Sequence, residues 1–484
     1  MIFRQKYLKI TFCLLLLFAI YGNSIGQDPT SQIEKLKIGS IKSSLSLSGS
    51  NLGSDIWGRF SKGNYFPWLT VFENPAFISG EQKPKILFQF VPNQTYGLTG
   101  ISDISNIIND EIDNAIIDYR SDDLEIGYPA MNIQLKRKIQ WPEGMILFPV
   151  EGFTFGLLFH RAMNVNLNFD LINTEASIST ELNSGGSVNK VILNNYIDAT
   201  NHLNYLVTSS SFFLSKVLKN NWVSGLQMER LYYDLSLKSN INIQGTMYYN
   251  GKEYLFNDPN TLWPTDLYQS LVASYSGSAW RMNWGNMVVL KPDFIVDGTI
   301  SFVSDANLEG ELTGDRNKIP ALNIDAMESG GGIDEILDAE KLDPSQLTFT
   351  ESIGWNQYST LSHTLPNYLK LGFLYRVGSW AFYFSDHIYF GKYKLQYGDD
   401  FIELDPKHLL KLYISRGAFY SKLGAYAFSY FAPSNQDFST NTSTIYLPSL
   451  SFGYGRSFFA RTFLIGNLDI LPVVGVNVGV QYQF

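Results

Sequence analysis

The chain ends in a stretch that alternates without interruption. Val474, Val476, Val478, Val480, Tyr482 and Phe484 share one face of an extended strand, and Gly475, Asn477, Gly479, Gln481 and Gln483 share the other. Strand side chains point to opposite faces with a period of two, so one face here is apolar and one polar. With a length of about 9–11 residues, such a strand crosses a bilayer at a tilt while its polar face looks into a protein interior. The same pattern also suits the last strand of a soluble sandwich, so the opposite end of the chain has to separate the two.

That end reads as a secretory signal over residues 1–26. Arg4, Lys6 and Lys9 precede a short apolar core from Ile10 to Ile20, and the small residues Ser24 and Gly26 place cleavage before Gln27. The core is too short to span a bilayer as a helix. Cys13, the single cysteine, lies inside it behind Phe12, which is too large for a lipoprotein site. The remaining chain therefore has no disulfide, thiolate or cysteine-metal chemistry.

Charged residues make up 17% of the chain and aromatics 15%, against about 25% charged in ordinary soluble domains. No later stretch is apolar enough for a transmembrane helix. The net charge is −9 before the three signal cations are lost, which excludes a nucleic-acid partner because that needs a basic stripe.

Alternation recurs along the chain. Phe153, Phe155, Leu157 and Phe159 face one way, and the run resumes with Val165, Leu167, Phe169 and Leu171 against Asn166, Asn168 and Asp170. Leu235, Leu237, Ile241 and Ile243 alternate with Ser236, Lys238, Asn240 and Asn242. Further strands are expected over 131–139, 203–217, 287–303, 368–377, 380–390, 408–415, 419–431, 445–454 and 461–468. With the terminal strand this predicts an all-β, transmembrane antiparallel barrel over 85–484. Its strand number is about 12 to 16, centred on about 14, an even count being usual for a single-chain bacterial barrel. Tyr232, Tyr233, Tyr248, Tyr249, Trp380, Tyr383, Tyr389 and Tyr393 are placed in interfacial girdles. Ile104, Ile107, Ile108, Ile112, Ala115 and Ile116 recur at helical spacing over 103–118; this helix sits in the barrel, caps its periplasmic mouth or packs in a periplasmic or external loop. Residues 27–84 form a lead-in or plug segment, folded inside or beneath the barrel. The polar stretches 173–199, 245–284 and 305–363, the last containing Gly330-Gly331-Gly332, are expected to be long external loops.

Within the lead-in, Asn74-Pro75-Ala76 reads first as a turn ahead of a strand at 85–91. This triplet, the segment from Leu365 to Arg376 and the terminal Phe484 resemble FadL-type outer-membrane barrels. Among these are the PorV-like proteins of type IX-secreting, Bacteroidota-type bacteria. The resemblance implies an outer-membrane location, an inner plug around Asn74, Pro75 and Ala76, and a terminal barrel-assembly signal at Val478, Val480, Tyr482 and Phe484. The implied partners are outer-membrane lipid and the barrel-assembly machinery.

Chemistry is sparse. His160, His202, His363, His387 and His408 show no paired metal spacing. His387 lies beside Asp386 and near Ser385, but strand neighbours point apart, so Asp386 does not orient it. Asp305, Glu309, Glu311 and Asp315 read as a solvated acidic loop, with an oxygen-ligand Ca²⁺ site as the less economical reading. No phosphate loop, dinucleotide or nucleophile-elbow motif occurs, so no enzyme and no cofactor is expected. Two function classes follow. One is a FadL-like barrel that passes or binds hydrophobic small molecules, with Trp263, Trp280 and Trp284 as loop aromatics for the ligand. The other is a PorV-like scaffold that transports nothing and presents loops to a secretion or surface-adhesion protein. A soluble exported β-sandwich adhesin is the third.

Overall fold

The computed structural model describes residues 32–48, 57–59, 65–67, 73–80, 83–90, 95–98, 120–127, 130–136, 143–184, 187–249, 252–255, 267–317, 350–352, 360–397, 400–431, 444–471 and 475–484. Among them no helix is long and apolar enough to cross a membrane, a criterion that does not bear on β-barrels.

The strands close on themselves. In chain order they are β1 (Lys85–Phe90), β2 (Glu143–Val150), β3 (Phe153–Ser184), β4 (Ser187–Lys219), β5 (Trp222–Tyr249), β6 (Leu267–Lys291), β7 (Phe294–Val303), β8 (Asn367–Val377), β9 (Trp380–Phe390), β10 (Asp400–Arg416), β11 (Phe419–Phe431), β12 (Thr444–Phe459), β13 (Thr462–Leu471) and β14 (Gly475–Gln483). Each pairs antiparallel with the next. β14 returns to β1 through Gln481↔Leu87 and Tyr482↔Ile86. The result is a 14-strand antiparallel barrel, and closure leaves no sheet edge for lipid to desolvate.

One end of the barrel carries tight turns, among them Glu151-Gly152, Asn220-Asn221, Gly378-Ser379 and Gly417-Ala418. Gly152, Gly378 and Gly417 take the positive φ such turns require. The C-terminus lies at this end, where Phe484 N donates to Pro84 O at 3.1 Å. Val478, Tyr482 and Phe484 are exposed outward and Gln481 is buried inward, so the terminal strand has the faces its sequence predicts.

Above the turns the barrel wall is apolar outside and polar inside. On β5, Leu226, Met228 and Tyr232 are exposed while Gln227 and Glu229 are buried. From Trp222 to Tyr232 the strand advances about 33 Å, or about 23 Å of bilayer normal at a tilt near 45°, close to the height of a membrane apolar band. Arg230 sits over the Tyr232 ring at 5.0 Å and the Trp280 ring at 5.5 Å, an aromatic–cation girdle at the upper border.

β3 and β4 contain 32 and 33 residues, β5 and β6 28 and 25, far more than the about 9–11 a crossing needs. The polar stretch 173–199 is therefore largely strand in β3 and β4, and 267–284 is strand in β6, where the sequence suggested loops. Backbone ladder bonds hold these segments although side-chain polarity does not announce them. Part of 305–363 is strand as well, over Ala306–Asn317, Thr350–Ser352 and Thr360–Thr364. Glu309 and Glu311 lie exposed on the first of these, and no cluster of metal-binding side chains occurs among the described residues. The expected helix at 103–118 and Gly330-Gly331-Gly332 lie outside the described residues.

Beyond the girdle the apolar residues face inward. Leu231, Tyr233 and Ile241 are buried, and Leu235 and Leu237 pack on the inner cluster that holds Leu231 and Tyr233. Asp234 and Lys238 are exposed on the other face. On β3 a register shift between Arg161 and Met163 moves the odd-numbered residues across the wall. Phe159 is exposed, whereas Val165 pairs with Tyr205, which packs on the inner cluster. The predicted girdle is corrected in the same way. Tyr232 and Trp380 face outward, but Tyr233 and Tyr383 are buried, because neighbours along a strand cannot share a face.

The lead-in divides. Ser40–Ser48 pairs antiparallel with β3 over residues 164–172, beyond the point where β2 stops pairing at Gly144↔Phe159. It extends the wall there. Residues 73–80 go inside.

Candidate functional site

Asn74-Pro75-Ala76 folds as its sequence suggests. Asn74 Oδ1 accepts from Ala76 N at 3.0 Å, Asn74 O accepts from Phe77 N at 3.1 Å, and a 3-10 turn follows over Pro75–Gly80. Asx side chains favour such turns because they replace a backbone partner. Glu73, Asn74, Ala76 and Ile78 are all buried.

The wall makes room for this segment through two glycines. A Cβ on Gly225 of β5 would lie 2.5 Å from Ala76 N, and one on Gly285 of β6 would lie 2.8 Å from Pro75 Cδ. Only glycine permits so close a backbone approach. Ser215 Oγ of β4 then donates to Ala76 O at 3.4 Å. Below the turn, Ala76 and Ile78 join Leu87, Met145, Leu147, Phe213, Val223, Ile295 and Leu374 in an apolar core that fills the lumen at the tight-turn end.

On the other side of the turn lies an ionic layer. Asn74 Nδ2 donates to Asp297 Oδ1 of β7 at 2.9 Å and to Asn286 O of β6 at 3.1 Å. Glu73 bonds the Lys411 ammonium of β10, with His387 Nε2 of β9 at 3.5 Å and Lys370 Nζ of β8 at 3.9 Å. Lys370 also reaches Asp297 at 3.3 Å, and Tyr383 O–H donates to Asp297 Oδ1 at 3.3 Å. Lys370 and Asp297 have fully buried side chains. Phe77 meets the Tyr383 ring edge-on at 5.6 Å. Thus β4, β7, β8, β9 and β10 grip residues 73–77 through side chains and β6 through Asn286 O, with no backbone ladder. The grip is strong only while every charge is paired, because an unpaired buried charge is costly.

A second polar layer follows. Ser209 Oγ donates to Glu229 Oε1 at 2.5 Å, Arg281 pairs with Glu229 at 3.3 Å, and Asn283 Nδ2 donates to Gln227 Oε1 at 2.7 Å.

Of the ligand residues suggested by sequence, Trp280 and Trp284 lie on the outer face of β6 and are exposed; Trp284 Nε1 donates to Ser224 Oγ at 3.1 Å. The structure places them on the lipid-facing wall, away from the lumen. Trp263 lies outside the described residues. His387 and Asp386 point to opposite sides, as expected, with Asp386 bonding His408 at 3.1 Å and His387 facing Glu73. Sequence reasoning missed Lys370 and Lys411; the available signal was a cation on the inward face of an otherwise apolar strand.

No known family model matches the chain, and no curated protein does. Among solved structures it is similar to the Pseudomonas putida toluene transporter TodX at 9% identity, with TM-score 0.43, covering 85% of this chain and 92% of that one. A Pseudomonas aeruginosa FadL homologue is 10% identical, with TM-score 0.40 and coverages of 90% and 97%. The CymD monoaromatic hydrocarbon channel is 11% identical, with TM-score 0.44 and coverages of 90% and 99%. At these values the likeness adds nothing to the strand pairings, which define the barrel by themselves.

Proposed function

We propose that the chain is an outer-membrane barrel, not an enzyme, that binds or passes hydrophobic small molecules, with residues 73–80 as its movable closure. The observation that carries this reading is the closure itself. It lies across the lumen, seated against two glycines, and is held by side-chain hydrogen bonds and ion pairs with no strand pairing of its own. Such contacts can be exchanged without breaking the barrel ladder, so the closure can leave while the wall persists.

Entry of the hydrophobic dye N-phenylnaphthylamine into proteoliposomes tests this. Glu73→Gln removes the charge that Lys411, His387 and Lys370 surround, and dye entry is expected to rise several-fold over wild type. Entry at the level of protein-free liposomes in both forms, with heat-modifiable mobility showing a folded barrel, contradicts it. That result would favour the second reading, a PorV-like barrel scaffold for a secretion or adhesion protein. The apolar core packed around Ala76 and Ile78, which fills the lumen at the tight-turn end, is the observation behind it.

A further inference from the structure

On the loop side of the ionic layers, three rings meet inside the barrel. Tyr233 and His363 are edge-to-face at 5.0 Å, Tyr205 and His363 at 6.3 Å, and Tyr205 stacks near Tyr233 at 6.5 Å. Tyr205 is on β4 and His363 on Thr360–Thr364. Between them run β5, β6 and Ala306–Asn317, all paired side by side. Four ladder steps amount to about 19 Å along the wall. Rings 6.3 Å apart at that separation have converged across the lumen, so this is a constriction distinct from the plug. Leu231, Ala279, Leu308 and Leu361 belong to the same buried cluster.

Two polar atoms in this apolar setting have no hydrogen-bond partner among the described residues, Tyr233 Oη and His363 Nδ1. Tyr233 is 3% exposed and His363 7%. A buried polar atom left unpaired is costly, and a ligand hydroxyl or an ordered water satisfies it. Their chemistry is complementary. The Tyr233 O–H donates, and His363 Nδ1 accepts in the tautomer protonated at Nε2. A hydroxyl seated between them would donate to the imidazole and accept from the phenol. The ring walls favour a planar apolar body, since aromatic edges and faces pair with added energy.

We infer that Tyr205, Tyr233 and His363 form a binding station for small aromatic solutes bearing one hydroxyl group, and that the station makes the barrel discriminate phenolic from purely hydrocarbon rings. This rests on the transport reading above. Tyr233 and His363 hold the hydroxyl, Tyr205 supplies the ring wall, and solutes meet this station before the plug.

Binding of p-cresol and toluene to the full chain in nanodiscs, referenced to empty nanodiscs, tests it by saturation-transfer NMR. Wild type is expected to bind p-cresol more tightly than toluene. Tyr233→Phe and His363→Phe keep an aromatic ring at each position and should each weaken p-cresol about three- to tenfold, the range of one hydrogen bond, while toluene is unchanged. Tyr205→Leu should weaken both probes. Equal affinity of wild type for the two probes, or no selective loss in either ring-preserving variant, overturns the station and leaves transport standing; ordered water at the two atoms would give this outcome. Failure of wild type to bind either probe overturns the station together with the transport reading. Heat-modifiable mobility verifies folding of each variant.

Discussion

The same strands are built in two opposite ways along their length. At bilayer height β5 shows Leu226, Met228 and Tyr232 outside and Gln227 and Glu229 inside. A few residues on, with no break in its pairing to β6, it shows Asp234 and Lys238 outside and Tyr233, Leu235 and Leu237 inside. Parity is constant and polarity reverses. The outer face follows its solvent, which changes from lipid to water at Tyr232. The inner face changes too, from ion pairs around the plug to an apolar cluster, so above the membrane the sheet packs like an ordinary soluble one. β3 achieves the change differently, by shifting register between Arg161 and Met163, which carries an odd-numbered apolar run from lipid to lumen.

The contrast can be broken most severely from inside. Lys370 has a fully buried ammonium between Asp297 and Glu73. Lys370→Met takes the ammonium from Asp297, whose side chain is fully buried, and is expected to cost about 3–5 kcal/mol in urea unfolding from lipid vesicles. A neutral result would mean that the ionic layer is hydrated and does not hold the plug. Next comes the outer face. Met228→Arg places a charge in the apolar band and should cost about 2–4 kcal/mol. Ser236→Arg, on the same face above the girdle, should stay within about 0.5 kcal/mol. Equal costs would erase the proposed boundary.

The smallest expected effect lies far up the extension, where Lys35 and Lys37 of Gln32–Lys37 reach Glu175 at 2.9 and 3.4 Å. The Lys35 hydrogen bond and the two ammonium charges outweigh desolvation and hold this carboxyl below its ordinary 4.5. A depressed carboxyl contributes its stabilisation above the unfolded value and loses it as pH falls through the folded one. Amide exchange protection of residues 35–37 should therefore drop slightly only below pH 4.5, and Glu175→Gln should abolish that step.

Much of this was legible beforehand, and the misses share a cause. Alternation identifies a strand and its two faces, as at Val478, Tyr482 and Phe484 against Gln481. It does not say which face is inside, so Leu235 and Ile241 looked like lipid-facing residues. Trp280 and Trp284 looked like loop aromatics because they fall in the polar stretch 245–284, though Ser274, Ser276 and Ser278 in it are the outer side of a long strand. Asn74-Pro75-Ala76 could be read as a turn from local chemistry alone. Its partners could not, since Glu73 and Lys411 are 338 residues apart and only barrel closure brings them together.

Site-directed spin labelling along β5 tests the face reversal most directly. Nitroxides are placed on cysteines introduced singly at 226, 228, 232, 236 and 238 in liposome-reconstituted protein. Accessibility to oxygen, which concentrates in lipid, is compared with accessibility to a water-soluble nickel chelate. Positions 226, 228 and 232 should favour oxygen, and 236 and 238 should favour nickel, with the crossover at the Tyr232–Asp234 border. Uniform oxygen preference through 238, or nickel access at 226 and 228, would contradict the account.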